Sequence, residues 1–267
     1  MNGAGSAGRR TALITGASAG IGTEYARQLA EGGYDLIIVA RREERLNAIR
    51  VDLEKQFGVS VQPFPADLAD EDSVGSLVEM ILDHDDFEIL VNNAGFGVQG
   101  RFCEADIEKN LAMIQVHVLA TVRLTHAVLR QMVARNRGYV VNVSSLASFL
   151  TAPGAASYCA TKAYLNSFSK SVQAELCGTE VRIQALCPGF TYTEFHDVPD
   201  AKMDRSLVPK FLWMPADRVV KISLEALERR RVICVPGFVN RVLATVIRSR
   251  ILEPFMRNTY GKRLKRG

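Results

Sequence analysis

Apolar positions follow two alternating rhythms along the chain. Short runs dense in Val, Ile and Leu, such as Asp35-Leu36-Ile37-Ile38-Val39-Ala40, read as buried strands. Strands are predicted near residues 11–15, 35–40, 60–66, 88–93, 139–144, 181–186 and 232–235. Between them apolar residues recur at helical spacing, as with Ile21, Tyr25, Ala26 and Leu29. Long helices are predicted near 105–135 and 156–177. Strand and helix in alternation imply parallel strands joined by helical crossovers. The predicted fold is therefore α/β, a doubly wound parallel sheet of about seven strands with helices on both faces. Ligands in such sheets bind at the carboxyl ends of the strands, where Gly16, Asn92, Ser145 and Pro188 fall. The rhythm breaks at 190–214, where no clear element is predicted.

Composition changes the picture little. The chain has 267 residues, 48% hydrophobic and 23% charged, enough for a sizeable core. Five cysteines (103, 159, 177, 187 and 234) are scattered with no C-x-x-C pair. That pattern argues against a disulfide framework or zinc site and for a reducing, cytoplasmic setting. Cys159 reads as a small packed residue, with a reactive thiol as the alternative. Residues 1–9 are glycine-rich and too polar for a signal peptide, and are expected to form a flexible tail. No later segment is expected to have the uninterrupted length of a membrane span.

Charge matters more at the far end. From Arg241 to Gly267 there are eight basic residues against one acidic, Glu253, a net +7. The whole chain carries +4, so residues 1–240 carry −3. Val239, Val242, Leu243, Val246 and Ile247 recur at helical spacing, making 241–267 a basic amphipathic extension. Packing on the domain or on a partner subunit is one reading, and peripheral contact with an anionic membrane surface is the other. No nucleic-acid-reading motif accompanies the basic residues, so nucleic acid is not an expected partner.

The chemistry begins at the first predicted strand. Thr11-Ala12-Leu13-Ile14-Thr15 runs into Gly16-Ala17-Ser18-Ala19-Gly20-Ile21-Gly22, and a helical pattern follows. Glycines let the backbone turn tightly and approach a pyrophosphate, and a helix N-terminus offers it unpaired N–H groups. The spacing is G-x-x-x-G-x-G rather than G-x-G-x-x-G. At the end of the second strand an NAD enzyme usually carries an acidic residue for the adenosine ribose. Here Ala40 is followed by Arg41 and Arg42, whose guanidinium groups suit a 2′-phosphate. NADP(H) is the expected cofactor.

A second constellation lies past the middle. Tyr158 and Lys162 are four apart on a predicted helix and share a face. A phenol titrates near pH ~10, and a neighbouring ammonium is expected to bring that down. Ser145, thirteen residues before the tyrosine, supplies a hydroxyl to hold a substrate oxygen. Tyrosine and serine together provide the electrophilic help a carbonyl needs, so no metal is expected.

These motifs, in this order, identify the chain as similar to the short-chain dehydrogenase/reductase family, in its compact single-domain branch, over roughly residues 10–240. Thr15 to Gly22, with Ser18 and Ile21, resembles the family's cofactor loop. By that resemblance Asp67 contacts the adenine, and Asn93, Ala94 and Gly95 close the fourth strand beside the cofactor. Pro188, Gly189 and Thr193 match the segment over the nicotinamide, and Lys162 and Tyr158 also bind the cofactor. The resemblance implies a substrate lid over about 190–214, with Phe190, Phe195, Phe211 and Trp213 as its apolar lining. It also implies a homodimer or homotetramer.

One position departs from the family. The place of its usual catalytic asparagine, whose main-chain carbonyl positions a water linked to the lysine, holds His117. His117 is either a filler that leaves that water in place or a titratable member of the proton relay. The expected function is an NADP(H)-dependent oxidoreductase interconverting a carbonyl and a secondary alcohol on a hydrophobic small molecule. The alternatives are an NADP(H) sensor without turnover and a membrane-surface lipid or 3-oxoacyl reductase.

Overall fold

The structure, a computed structural model, describes residues 10–84, 86–196, 205 and 208–248. The predicted tail at 1–9, part of the predicted lid and the extension beyond Arg248 lie outside the described residues.

Seven parallel strands form the main sheet: β1 (Thr11–Thr15), β2 (Asp35–Ala40), β3 (Val61–Pro65), β4 (Phe87–Asn92), β5 (Gly138–Val143), β6 (Val181–Leu186) and β9 (Ile233–Cys234). Their order is β3-β2-β1-β4-β5-β6-β9, so the winding reverses between β1 and β4. That reversal opens the crevice in which such sheets bind ligands. The intervening helices are α1 (Gly20–Glu31), α2 (Glu43–Phe57), α3 (Glu71–Leu82), α4 (Ile107–Ile114), α5 (Thr121–Ala134), α6 (Ala156–Glu175) and α7 (Ala216–Glu228), with α8 (Phe238–Arg248) last.

The inner strands are largely apolar because both faces are covered. Alternate residues go to opposite layers: Ala12, Ile14, Leu36, Ile38 and Val91 join one core cluster, and Leu13, Ile37, Val39 and Leu90 the other. The first layer includes Tyr25 and Leu29 of α1, Leu46 of α2 and Val219 of α7. The second includes Leu77 of α3 and Leu124 and Val128 of α5. Each such fully buried aliphatic side chain contributes about 1.5–3 kcal/mol.

Helices α4 and α5 are joined by a π-helical stretch, Gln115–Ala120, and make one continuous rod. Contrary to expectation, this rod of 28 residues is long and apolar enough to cross a membrane. Its buried share is the ordinary core face of an α/β domain: Leu124, Ala127, Val128 and Met132 pack on the sheet. All five cysteines are free, and burial raises the Cys159 thiol, which disfavours a reactive thiolate there.

The predicted break at 190–214 contains two short paired strands, β7 (Thr191–Tyr192) and β8 (Met214–Pro215). Trp213 holds this pair together, stacked on Tyr192 at 4.9 Å and packed on Phe190 at 5.4 Å between ring centroids.

Candidate active site

Two loops meet at the carboxyl ends of β1 and β4. Thr15 accepts hydrogen bonds at Oγ1 from the N–H groups of Asn93 and Ala94, each 3.0 Å. The Asn93 amide in turn donates to the carbonyls of Thr15 at 3.0 Å and Gly16 at 3.1 Å. Asn93 is thus a tie between the glycine loop and β4, and its amide is spent on that tie. Gly16 and Gly20 have φ of +65° and +57°, and a Cβ on Gly20 would meet Thr193 at 2.7 Å. A Cβ on Gly22 would strike the Gly16 carbonyl. Helix α1 begins at Gly20 with no side-chain cap and no acidic residue in its first turn. Its N–H groups therefore face a glycine cradle with nothing anionic of their own, which fits the pyrophosphate of a dinucleotide.

The end of β2 is cationic. Arg42 donates to Ser18 Oγ at 3.1 Å and to Glu194 at 3.3 Å. Arg41 lies 3.7 Å from Asp67, whose other oxygen accepts from the Ala69 N–H. A third arginine was not singled out by sequence. Arg45, one turn beyond Arg42 on α2, binds both oxygens of Glu194 at 2.8 and 2.9 Å. These guanidinium groups beside an exposed hydroxyl fit a 2′-phosphate.

The catalytic candidates lie across the crevice; His117 and Lys162 are buried, and Ser145 and Tyr158 are partly buried. Strand β5 leads through Ser144 to Ser145, which caps the short turn Leu146–Phe149 by accepting from the Ala147 N–H. A polar ladder sets α6 against this strand. The Asn92 amide donates to Asn142 at 2.9 Å and to Thr125 at 3.1 Å, and the Asn142 amide donates to Ser169 at 3.0 Å. Ser144 adds a bond to the Lys162 carbonyl at 2.9 Å. These five side chains are buried, and their fixed partners hold the register of α6 on β5. Of these only Asn92 was singled out in the sequence, because polar residues in strands and helices look like surface positions until their partners are known.

On α6, Lys162 donates through Nζ to the Val143 carbonyl at 2.9 Å and lies 5.8 Å from the centre of the Tyr158 ring. Burial lowers its amine to about 7. Burial also pushes the Tyr158 phenol up to about 12, with a hydrogen bond to Ser145 pulling the other way. The expectation that Lys162 brings the phenol down is corrected here. Its Nζ is aimed at a carbonyl, and desolvation of the phenolate is the leading influence on the phenol.

His117 has both ring nitrogens engaged. Nε2 accepts from the Phe96 N–H at 3.2 Å, and Nδ1 pairs with Thr161 Oγ1 at 3.0 Å. Thr161 spends its own proton on the Tyr158 carbonyl, so Nδ1 is the protonated nitrogen. Burial and the nearby Lys162 charge hold the imidazole well below its usual range. His117 is therefore a neutral brace between the loop after β4 and the catalytic helix. Gly95 makes room for it: a Cβ there would lie 2.5 Å from Nε2.

The remaining predicted residues border the crevice. Ile21 packs on the core beneath the glycine loop. Pro188 accepts from the Leu146 N–H, and Gly189 lies against Asn240 of α8. Phe195 comes to 6.1 Å from the Tyr158 ring, whereas Phe211 is 72% exposed and does not line the site as the lid reading expected.

This combination, a doubly wound sheet with a glycine cradle at the switch point and Ser, Tyr and Lys on the next elements, defines a dinucleotide-dependent dehydrogenase. The short chain dehydrogenase family profile matches residues 10–203, and the chain belongs to that oxidoreductase family. It is 34% identical over 189 residues to the NADP-dependent 3-hydroxy acid dehydrogenase of Schizosaccharomyces pombe, covering 70% of this chain and 73% of that one. It is 33% identical over 206 residues to the very-long-chain 3-oxoacyl-CoA reductase of Laccaria bicolor, covering 74% of this chain but 59% of that one. Among solved structures it resembles a short-chain dehydrogenase from Sphingobium yanoikuyae in complex with NADPH. That likeness has a TM-score of 0.81 at 33% identity, over 86% of this chain and 88% of the other.

Proposed function

We propose that the protein is an NADP(H)-dependent oxidoreductase that interconverts a hydrophobic carbonyl compound and its secondary alcohol. The cofactor reading is supported by the glycine cradle, by Arg41, Arg42 and Arg45, and by the NADP(H) named for two of the similar proteins. Gly16, Gly20 and Gly22 would seat the pyrophosphate, and the arginines with Ser18 the 2′-phosphate. Bound NADP(H) supplies or accepts the hydride. Tyr158 gives its phenolic proton to the carbonyl oxygen during reduction, and Ser145 donates a hydrogen bond to that oxygen. Lys162, with an amine near 7, exchanges protons close to neutrality beneath the phenol. His117 acts by position, holding Thr161 and hence the turn that carries Tyr158.

One observation carries the reading: a partly buried phenol, pushed up to about 12 by desolvation, hydrogen-bonded to Ser145 with Lys162 one turn away. It suits a proton donor to a carbonyl oxygen. Both named relatives act on 3-hydroxy or 3-oxoacyl compounds, and Phe195 beside Tyr158 supports an apolar substrate of that kind. The test is NADPH consumption with 3-oxoacyl thioesters, hydrophobic ketones and aldehydes, with NADH in parallel. Tyr158→Phe should lower kcat by about 10²–10⁴-fold. NADPH binding without turnover on the whole panel would favour the sensor.

A second reading concerns placement. Helix α8 buries Asn240 and Ala244 on the domain, and Arg248 lies 4.1 Å over the Phe149 ring, which supports packing for the described start of the extension. Its outer face exposes Phe238 (73%), Val239, Val242 and Val246, an apolar stripe beside basic residues. That stripe supports peripheral contact with an anionic bilayer. Sedimentation with phosphatidylserine vesicles, but not with neutral ones, checks it. Exposed Ile107, Leu111, Leu119 and Tyr164 on the α4–α5 rod and α6 support association between copies.

A further inference from the structure

Resting on the NADP(H) reading above, we infer that Glu194 is an internal anion occupying the 2′-phosphate subsite, and that Arg45 is a specificity-determining member of that subsite. Glu194 reaches over from the segment after β7 and is bound by two guanidinium groups. Arg45 Nη1 donates to both its oxygens at 2.8 and 2.9 Å, and Arg42 Nη1 to one at 3.3 Å. Arg42 simultaneously holds Ser18 of the glycine loop through Nε at 3.4 Å and Nη2 at 3.1 Å. The carboxylate thus completes a cluster of two arginines and a hydroxyl at the end of β2. It also borders an open groove of about 440 Å³ lined by Ser18, Gly20, Thr23, Arg45 and Ile49. The groove belongs to the phosphate end of the crevice, and its lining includes none of Ser145, Tyr158 and Lys162.

The exchange is physically inexpensive. Arg42, Arg45 and Glu194 side chains are 45%, 48% and 51% exposed, and pairs in that setting are weak. A phosphate monoester carries about −1.5 to −2 charges and three acceptor oxygens, against one charge and two oxygens for the carboxylate. It can take both arginines and the Ser18 hydroxyl together, so it displaces Glu194. A cofactor without that phosphate leaves the carboxylate in place.

The position of Glu194 gives the exchange a consequence. Thr193 packs on Gly20 of the glycine loop, and Phe195 packs on Tyr158. Three consecutive residues thus touch the pyrophosphate cradle, the arginine pair and the catalytic phenol. Displacing the middle one loosens the segment that covers Tyr158, so the group that distinguishes NADP(H) also acts on the substrate side.

Calorimetry with adenosine 2′,5′-bisphosphate and 5′-AMP tests this without turnover. Glu194→Gln should tighten 2′,5′-bisphosphate binding by roughly three- to tenfold and leave 5′-AMP unchanged. Arg45→Gln should weaken the bisphosphate several-fold and spare 5′-AMP. An unchanged bisphosphate affinity in Glu194→Gln, or equal tightening of both ligands, overturns the inference while a wild type that prefers the bisphosphate keeps the cofactor reading. A wild type that binds both equally overturns the two together. Glu194 and Arg45 are exposed side chains, so both variants should fold.

Discussion

The two ends of the crevice are built on opposite electrostatic terms. At the phosphate end, Arg42, Arg45, Asp67 and Glu194 are about half exposed and Arg41 more so, and they pair through solvent-screened contacts. At the catalytic end, His117 and Lys162 are 1% and 5% exposed, and desolvation pushes the partly buried Tyr158 phenol up to about 12. Charge in water exchanges partners cheaply, whereas charge in a dry site is suppressed. The first end can therefore trade one anion for another on binding. The second is fixed by buried hydrogen bonds from His117 and Lys162, which hold its groups in position.

Removing the buried amine should show the largest effect of the contrast. Lys162→Met should cut kcat by at least about 100-fold, measured as NADPH oxidation with whichever substrate turns over. It should also stabilise the fold in a pH-dependent way. The folded amine titrates near 7 and the unfolded one at the usual 10.5. Between those values the unfolded chain holds more protons, so wild-type stability rises with pH across that window. The advantage of Lys162→Met should accordingly be greatest, up to a few kcal/mol, below pH ~7 and fade toward pH ~10. Urea unfolding of both proteins at the two extremes measures it, and a constant difference would break the contrast.

The brace comes next. His117→Ala should cost about 2–4 kcal/mol, because it opens a cavity, leaves the Phe96 N–H without its acceptor and takes the Nδ1–H donor from Thr161 Oγ1. His117→Asn should recover part of that loss. Its kcat–pH profile should match the wild type, since a neutral imidazole carries no proton through the cycle. A shifted profile would return His117 to the relay.

The smallest effect belongs to the exposed end. Arg41→Ala removes an ion pair with Asp67 across 3.7 Å and should change thermal stability by less than about 1 kcal/mol. A larger loss, read as a drop in Tm, would mean that this end is not as exchangeable as its exposure implies.

Much of both ends was legible in the chain because it depends on local rules. Runs such as Leu36–Val39 can only be strands covered on both faces, and their alternation with helical segments imposes the parallel sheet. Gly16, Gly20 and Gly22 are required by positive φ or by close backbone approach, and such needs leave a residue type behind. Tyr158 and Lys162 were readable because helical spacing alone puts them on one face.

What the sequence by itself determined, then, was the order of elements, the place of the crevice and the identities of the groups on its rim. Tertiary structure decided the rest, because it depends on distance and dryness between segments far apart in the chain. Glu194 meets Arg45 across 149 positions, and Asn92 meets Asn142 across 50. The same applies to charge state. Lys162 was expected to lower the phenol, but burial moved the amine down and the phenol up, and burial is a property of the packed molecule rather than of any stretch of sequence.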